Sequence, residues 1–217
     1  MTEPDASNTL LSPRTRLQTA LLCSGITGAI LFSAVYFCFG VISPNYYMIH
    51  ESISRLQLQP YGWIQSLNYI ISGLLICTFS IALRRELAGG FGSVLIPFFH
   101  LLTGLGSIIL GVCLNHQVQL YAGGIIFLSL ITGLLLITRR FTTNPQWRGW
   151  TTYTILTVLL MIVLCVLFTY STPHKGSLAG VFERLIVIAR LVWILLLTNR
   201  LLGGRNLEAV KPIVSKN

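Results

Sequence analysis

The sequence predicts an all-α polytopic membrane bundle of six transmembrane helices, and three observations carry that reading. Of 217 residues, 53% are hydrophobic and 10% charged, whereas soluble domains carry about 25% charged residues. The apolar residues fall into six separate runs, each close to the roughly 20 residues a helix needs to cross the hydrocarbon layer. These runs are continuous and do not alternate with polar residues, which argues against a transmembrane β-barrel.

The runs are Leu17–Ile42, Trp63–Leu83, Phe91–Cys113, Leu120–Thr138, Thr151–Tyr170 and Leu178–Leu202. They divide the chain into an N-terminal tail (1–16), a six-helix domain (17–202) and a C-terminal tail (203–217). The tail MTEPDASNTLLSPRTR is long and carries acids, and no small-residue cleavage site follows the first run. It therefore reads as preceding a retained span and not as a cleaved signal peptide. Pro97 is the one interior proline of a span, and with Gly104 and Gly106 following it permits a kink in the third helix. Small residues recur along several runs, among them Gly25, Gly28, Gly73, Gly104, Gly106, Gly111, Gly123, Gly124 and Gly133. Such residues let helix backbones approach closely in lipid.

The net charge of +9 comes from basic residues placed as topology requires, which argues against a nucleic-acid partner. One set of loops and tails holds Arg14, Arg16, Arg84, Arg85, Arg139, Arg140, Arg148, Arg200, Arg205, Lys211 and Lys216. The opposite loops hold Arg55 and Lys175. The positive-inside bias places both termini in the cytoplasm and the protein in the plasma membrane, the inner membrane of a bacterial cell. Cys23, Cys38, Cys77, Cys113 and Cys165 all lie within or at the end of apolar runs, with no CxxC spacing. They read as small apolar residues, and neither a disulfide framework nor a metal cluster is expected. The turn ELAGGFGS between the second and third runs is glycine-rich but lacks the Lys and Ser/Thr of a phosphate-binding loop.

One loop is long: Ser43–Gly62, SPNYYMIHESISRLQLQPYG, on the outer side and bracketed by Pro44 and Pro60. Ile49, Ile53 and Leu56 fall at i, i+4 and i+7, and Glu51 and Arg55 form an opposite-charge i,i+4 pair on another face. The pattern predicts a short amphipathic helix, lying at the interface or folded over the mouth of the bundle.

The last run, AGVFERLIVIARLVWILLLTN, contains Glu183, Arg184 and Arg190. Charge in a span is costly and faces the bundle interior, a partner or an aqueous cavity. At 1.5 Å per residue from Leu178, Glu183 lies about 7 Å into the span and Arg190 about 18 Å. His100 of the third run reaches a depth comparable to Arg190. Two readings follow: the charges line an outward-opening pocket, or they pair with one another and fix helix packing. In the pocket reading Tyr46, His50, Glu51, Arg55, His116, Glu183, Arg184 and Arg190 contact a lipid or other amphiphile, Arg being suited to bidentate contact with phosphate or carboxylate. A membrane enzyme acting on a lipid-linked substrate would recruit His50, Glu51, His116 or Glu183 as acid/base groups. A nucleophile is less evident, since HESIS is not the HExxH zinc motif and no GxSxG elbow occurs. His50, His116 and His174 have no metal-ligand spacing, His100 is the one histidine clearly within a helix, and neither a metal nor another cofactor is expected. A small transporter or a structural subunit, homo-oligomeric or paired with another membrane protein, is the third reading.

The segments SPNYYMIHESISRL, LNYIISGLLI, HLLTGLGSIILGV and GVFERLIVIARLVWILLLTNRL together resemble a widespread family of bacterial and archaeal six-span membrane proteins classed as a domain of unknown function. The layout is distantly similar to the eukaryotic FRAG and autophagy-modulator membrane proteins. The resemblance runs over roughly Ala20–Leu202 and rests mainly on Ser43, Pro44, Tyr46, Ile53, Ser54, Leu56, Gly180, Glu183 and Arg184. It implies that the first outer loop and the Glu183/Arg184 pair form one site. The chain departs from the family pattern after the third run, where GVCLNHQVQLYAGG has Asn115 and His116 and no acid.

Overall fold

A computed structural model describes residues 15–143, 147–172, 174 and 177–210, apart from the side chains of 148 and 204–210. Arg14, Arg148, Arg205, Lys211, Lys216 and Lys175 of the charge pattern, with most of both tails, lie outside the described side chains. The described residues form six long helices: α1 (Arg16–Ile42), α2 (Trp63–Glu86), α3 (Leu95–Val112), α4 (His116–Thr142), α5 (Arg148–Ser171) and α6 (Ala179–Val210). All six are long and apolar enough to cross a membrane, so the chain is an all-α, multi-pass membrane protein.

Each helix packs against its neighbours in the chain, and α6 returns against α1 to close a ring. The tightest pair is α2 with α3, where glycine lets the backbones touch: a Cβ on Gly104 would sit 2.8 Å from the Gly73 carbonyl oxygen and 2.6 Å from Cys77 Sγ. Gly123 and Gly124, grouped with these in the sequence, face open space and serve no such contact. Apolar side chains point outward as well as inward, as lipid contact demands: on α5, Leu156, Leu159, Leu160, Val163 and Val166 are all exposed.

Two apolar clusters fill the ring. One spans its lower half and joins Phe79, Leu83, Leu134, Ile137, Met161, Trp193 and Ile194. The other lies under the long loop and joins Tyr36, Phe39, Tyr46, Ile53, Leu56, Tyr69 and Leu110. Trp193 ties α6 to α5 by donating from Nε1 to Thr154 Oγ1 at 3.3 Å.

Several boundaries differ from expectation, two of them with a clear local cause. α3 starts at Leu95 and not Phe91, because Gly89, Gly90 and Gly92 take positive φ and hold the chain in a turn. Pro97 therefore stands in the first helical turn, where its missing N–H interrupts nothing, so it is no kink site. α4 starts at His116, capped by Asn115, whose side chain accepts from the N–H groups of Gln117 (2.9 Å) and Val118 (3.3 Å). Asn115→Ala should cost about 1 kcal/mol, read as a small drop in the melting temperature of detergent-solubilised protein.

The amphipathic helix of the long loop is a 3-10 helix, Ile53–Leu58, and it is shorter than the stripe implied. Ile53 and Leu56 are fully buried against the bundle, but Ile49 lies outside the helix and is exposed. The loop folds over the bundle mouth and turns sharply after each proline, at Asn45 and Tyr61, both at positive φ.

Candidate functional site

Several of the contacts that hold the long loop down converge on the first two turns of α6. Gly180 comes first: a Cβ there would collide with the carbonyl oxygens of Met48 and Glu51, so the loop backbone lies directly on the helix. The Val181 N–H donates to the Ile49 carbonyl at 3.2 Å. His50 Nδ1 bonds the Ser177 carbonyl at 2.7 Å, so that nitrogen carries the proton.

Glu183 reaches under the loop, where its Oε2 accepts from the Ile53 N–H at 2.7 Å. It thus caps a backbone donor at the start of the 3-10 helix, a group that would otherwise be buried without a partner. Arg184 works from the neighbouring face. One Nη donates to the carbonyls of Gly180 (2.7 Å) and Glu51 (3.2 Å), and the other donates to Tyr46 Oη at 2.6 Å. Its guanidinium also lies 5.8 Å from the ring centres of Tyr36 and Tyr46. Tyr46 Oη accepts from Arg184 and donates to the Ser52 carbonyl at 3.1 Å. Burial pushes the Tyr46 phenol up to about 12, against the opposing pull of Arg184. It is therefore neutral at any physiological pH and keeps the proton that this bond needs.

The resemblance implied that the loop and the Glu183/Arg184 pair form one site, and the geometry joins them as a latch. The sequence left open a pairing of Glu183 with Arg184, Arg190 or Arg55. Among the described residues Glu183 makes none of these ion pairs. Arg55 bridges Glu51 instead, at 3.3 Å, and Glu51 also accepts from the Tyr47 N–H at 3.1 Å.

Other candidate residues stand apart. His116 is exposed in the first turn of α4, and its side chain makes no hydrogen bond among the described residues. His174 bonds the Tyr170 carbonyl at 2.9 Å. No three of the described His, Cys, Asp or Glu side chains come together as a ligand set. His100 is buried in the lower cluster, its Nδ1 on the Ile96 carbonyl (3.0 Å), its ring stacked on Trp193 and edge-on to Phe79. That stacking puts His100 within one turn of Arg190 along α6.

Arg190 is half-buried, and its Nε is closed off without a partner. Among the described residues no carboxylate lies within ion-pair distance of it. It stands between the clusters: Val187, one turn above, packs under the loop, and Ile194, one turn below, belongs to the lower core.

Sequence reasoning missed an amide layer beneath the loop. Gln57 Nε2 donates to the Leu110 carbonyl (2.9 Å) and to Ser66 Oγ (3.0 Å), while its Oε1 accepts from Gln119 Nε2 (2.8 Å). Those contacts bind the 3-10 helix to α2, α3 and α4. On α2, Asn68 donates to the Phe32 carbonyl of α1 (3.1 Å), and Gln65 is wholly buried with an unpartnered Nε2. One signal was available: Gln65, Asn68 and Ser72 recur at i, i+3 and i+7, the spacing of a single helix face.

Fold and site together define a multi-pass helical membrane protein whose first long loop is latched onto its last span. The chain belongs to the family described as Protein of unknown function (DUF998), whose family model matches residues 26–200 and so takes in both loop and latch. No curated protein matches the chain, and neither does any solved structure.

Proposed function

We propose that this protein binds an anionic amphiphile beneath the latched loop, as an accessory to envelope lipid handling in the plasma membrane, the inner membrane of its cell. The arginine-rich end and both termini face the cytoplasm in this reading, and the loop faces outward. The observation that carries the proposal is Arg190. It lies about 17 Å along α6 from Ala179, between two apolar clusters, with no counter-charge among the described residues. A cation at that depth is expensive when unpaired, and the nearby acids are committed: Glu183 to the Ile53 N–H, Glu51 to Arg55 and the Tyr47 N–H. A phosphate or carboxylate headgroup would supply the missing charge, with its tail between helices.

The latch gives such a ligand a lid. Glu183 and Arg184 act on the loop and not on the ligand, so they become gating residues in this account. An enzyme acting on a lipid-linked substrate is less well supported, because His50, Glu51 and Glu183 are each taken up by a structural hydrogen bond and His116 stands on another helix.

Native mass spectrometry of gently solubilised protein tests the reading. The wild type should carry a reproducible anionic amphiphile. Arg190→Gln should lose it about tenfold at an unchanged melting temperature, while Glu183→Gln should loosen the loop first. No adduct on the wild type, or one indifferent to Arg190→Gln, sinks the proposal.

A further inference from the structure

At the opposite end of the bundle, a cavity of about 380 Å³ opens between the ends of α2, α4 and α6 and the start of α5. Its size falls within the roughly 300–1,000 Å³ of small-molecule sites, and its walls are of two kinds. Ile137, Leu197 and Leu201 are apolar, whereas Arg140 and Glu86 bring charge. Arg140 is fixed there by three backbone carbonyls of the α2–α3 turn: Leu87 (3.0 Å), Phe91 (3.0 Å) and Gly89 (2.9 Å). These acceptors are neutral, so they orient the guanidinium without cancelling its charge. Glu86, the one acid on the wall, is already engaged in an interaction of its own.

Two further observations define the surroundings. Arg84, Arg85, Arg139 and Arg200 crowd the same end, with Arg139 over the Phe91 ring (4.3 Å) and Arg200 over Trp147 (4.7 Å). Trp147 lines the cavity and opens a chain of ring contacts through Trp150 to Tyr153. Trp and Tyr gather at the headgroup level of a bilayer, so this cavity sits where a lipid passes from polar head to acyl chain.

We propose that this cavity seats an anionic glycerophospholipid from the leaflet at that end, with its phosphate against Arg140 and its first chain segments against Ile137, Leu197 and Leu201. Basic pockets between transmembrane helices recognise anionic headgroups in this way. The apolar half of the wall favours a lipid phosphate over a free one, since inorganic phosphate leaves that half in contact with water.

The test uses the full chain in detergent, with phosphatidylglycerol and phosphatidylcholine of identical acyl chains as probes and native mass spectrometry as the readout. Phosphatidylglycerol should be retained about tenfold over phosphatidylcholine. Filling the cavity should abolish that preference, by Leu201→Trp on the floor or by Thr143→Trp at the exposed rim, so that a folding defect in one leaves the other informative. All of these proteins carry Arg190→Gln as background, which removes the anionic binding proposed beneath the loop, so the two proposals stand or fall separately. Equal retention of the two lipids overturns the assignment, as does a preference that survives the folded filling variants. Complete displacement of phosphatidylglycerol by millimolar inorganic phosphate overturns it in favour of a free-phosphate site.

Discussion

Replacing Arg184 with alanine should free the long loop from α6 while leaving the six spans assembled. The change removes three hydrogen bonds from a charged donor and leaves the Glu51 carbonyl with one partner fewer. Orphaning buried partners costs about 1–3 kcal/mol each, and such losses are not additive, so a total on the order of 3 kcal/mol is expected. For a chain of this size that is a fall of roughly 6–12 °C in melting temperature. Limited trypsinolysis reads the loop itself. Arg55 is exposed at its side chain, but its backbone is held in the 3-10 helix, so cleavage after Arg55 requires local opening. Arg184→Ala should accelerate that cut at least tenfold. Arg184→Lys should rescue it only in part, because one ammonium cannot reproduce a fork that reaches both the loop backbone and Tyr46. Unchanged cleavage in a folded Arg184→Ala protein would remove the latch from the account.

Gly104→Leu should have the larger effect on the fold and prevent α2 and α3 from docking. A Cβ at this position already lies 2.6 Å from Cys77 Sγ and 2.8 Å from the Gly73 carbonyl, and the obstacle is partly backbone, which cannot rotate away. Even Gly104→Ala should cost about 1–3 kcal/mol by overpacking. Leucine adds three more carbons to the same space. Monodispersity on size exclusion in mild detergent is the readout, with Gly124→Ala as control, because a Cβ there meets nothing within 4 Å. A folded, monodisperse Gly104→Leu protein with wild-type melting would show that this helix pair does not organise the bundle.

Gly104 and Gly124 also show how far the sequence could be read. Both stand in apolar runs beside other small residues, and both suggested close helix approach. Only one is at an interface, because which face of a lipid-bathed helix turns inward leaves a weak trace when both faces are apolar. In water the polar face would have marked the outside. The same weakness hid the α2 amide layer, although Gln65, Asn68 and Ser72 were spaced to show it.

The candidate site divides along the same line. Loop residues 43–62 and the Glu183/Arg184 pair were legible as special, the first by length and bracketing prolines, the second as charge inside a span. The Glu51–Arg55 pair followed from i,i+4 spacing and is present. The partners of Glu183 and Arg184 were not legible, because both side chains bind mainly backbone: an N–H at Ile53 and a carbonyl at Glu51 in the loop, and the Gly180 carbonyl on α6 itself. Every residue but proline offers the same N–H, and every residue the same carbonyl, so no side-chain pattern announces which will be used. The ring of carbonyls around Arg140 escaped notice for the same reason, and with it the cavity at the arginine-rich end.

By itself, then, the sequence determined that this chain is a six-helix membrane protein with one long loop and with charge in its last span. Hydrophobic run length and charge placement are one-dimensional quantities set by the bilayer's thickness. Tertiary structure alone decided that Glu183 and Arg184 hold the loop and do not pair with each other, and that Arg190 has no counter-charge among the described residues. Those outcomes depend on which backbone groups arrive within 3 Å of a buried side chain, and that is settled when six helices close into a ring.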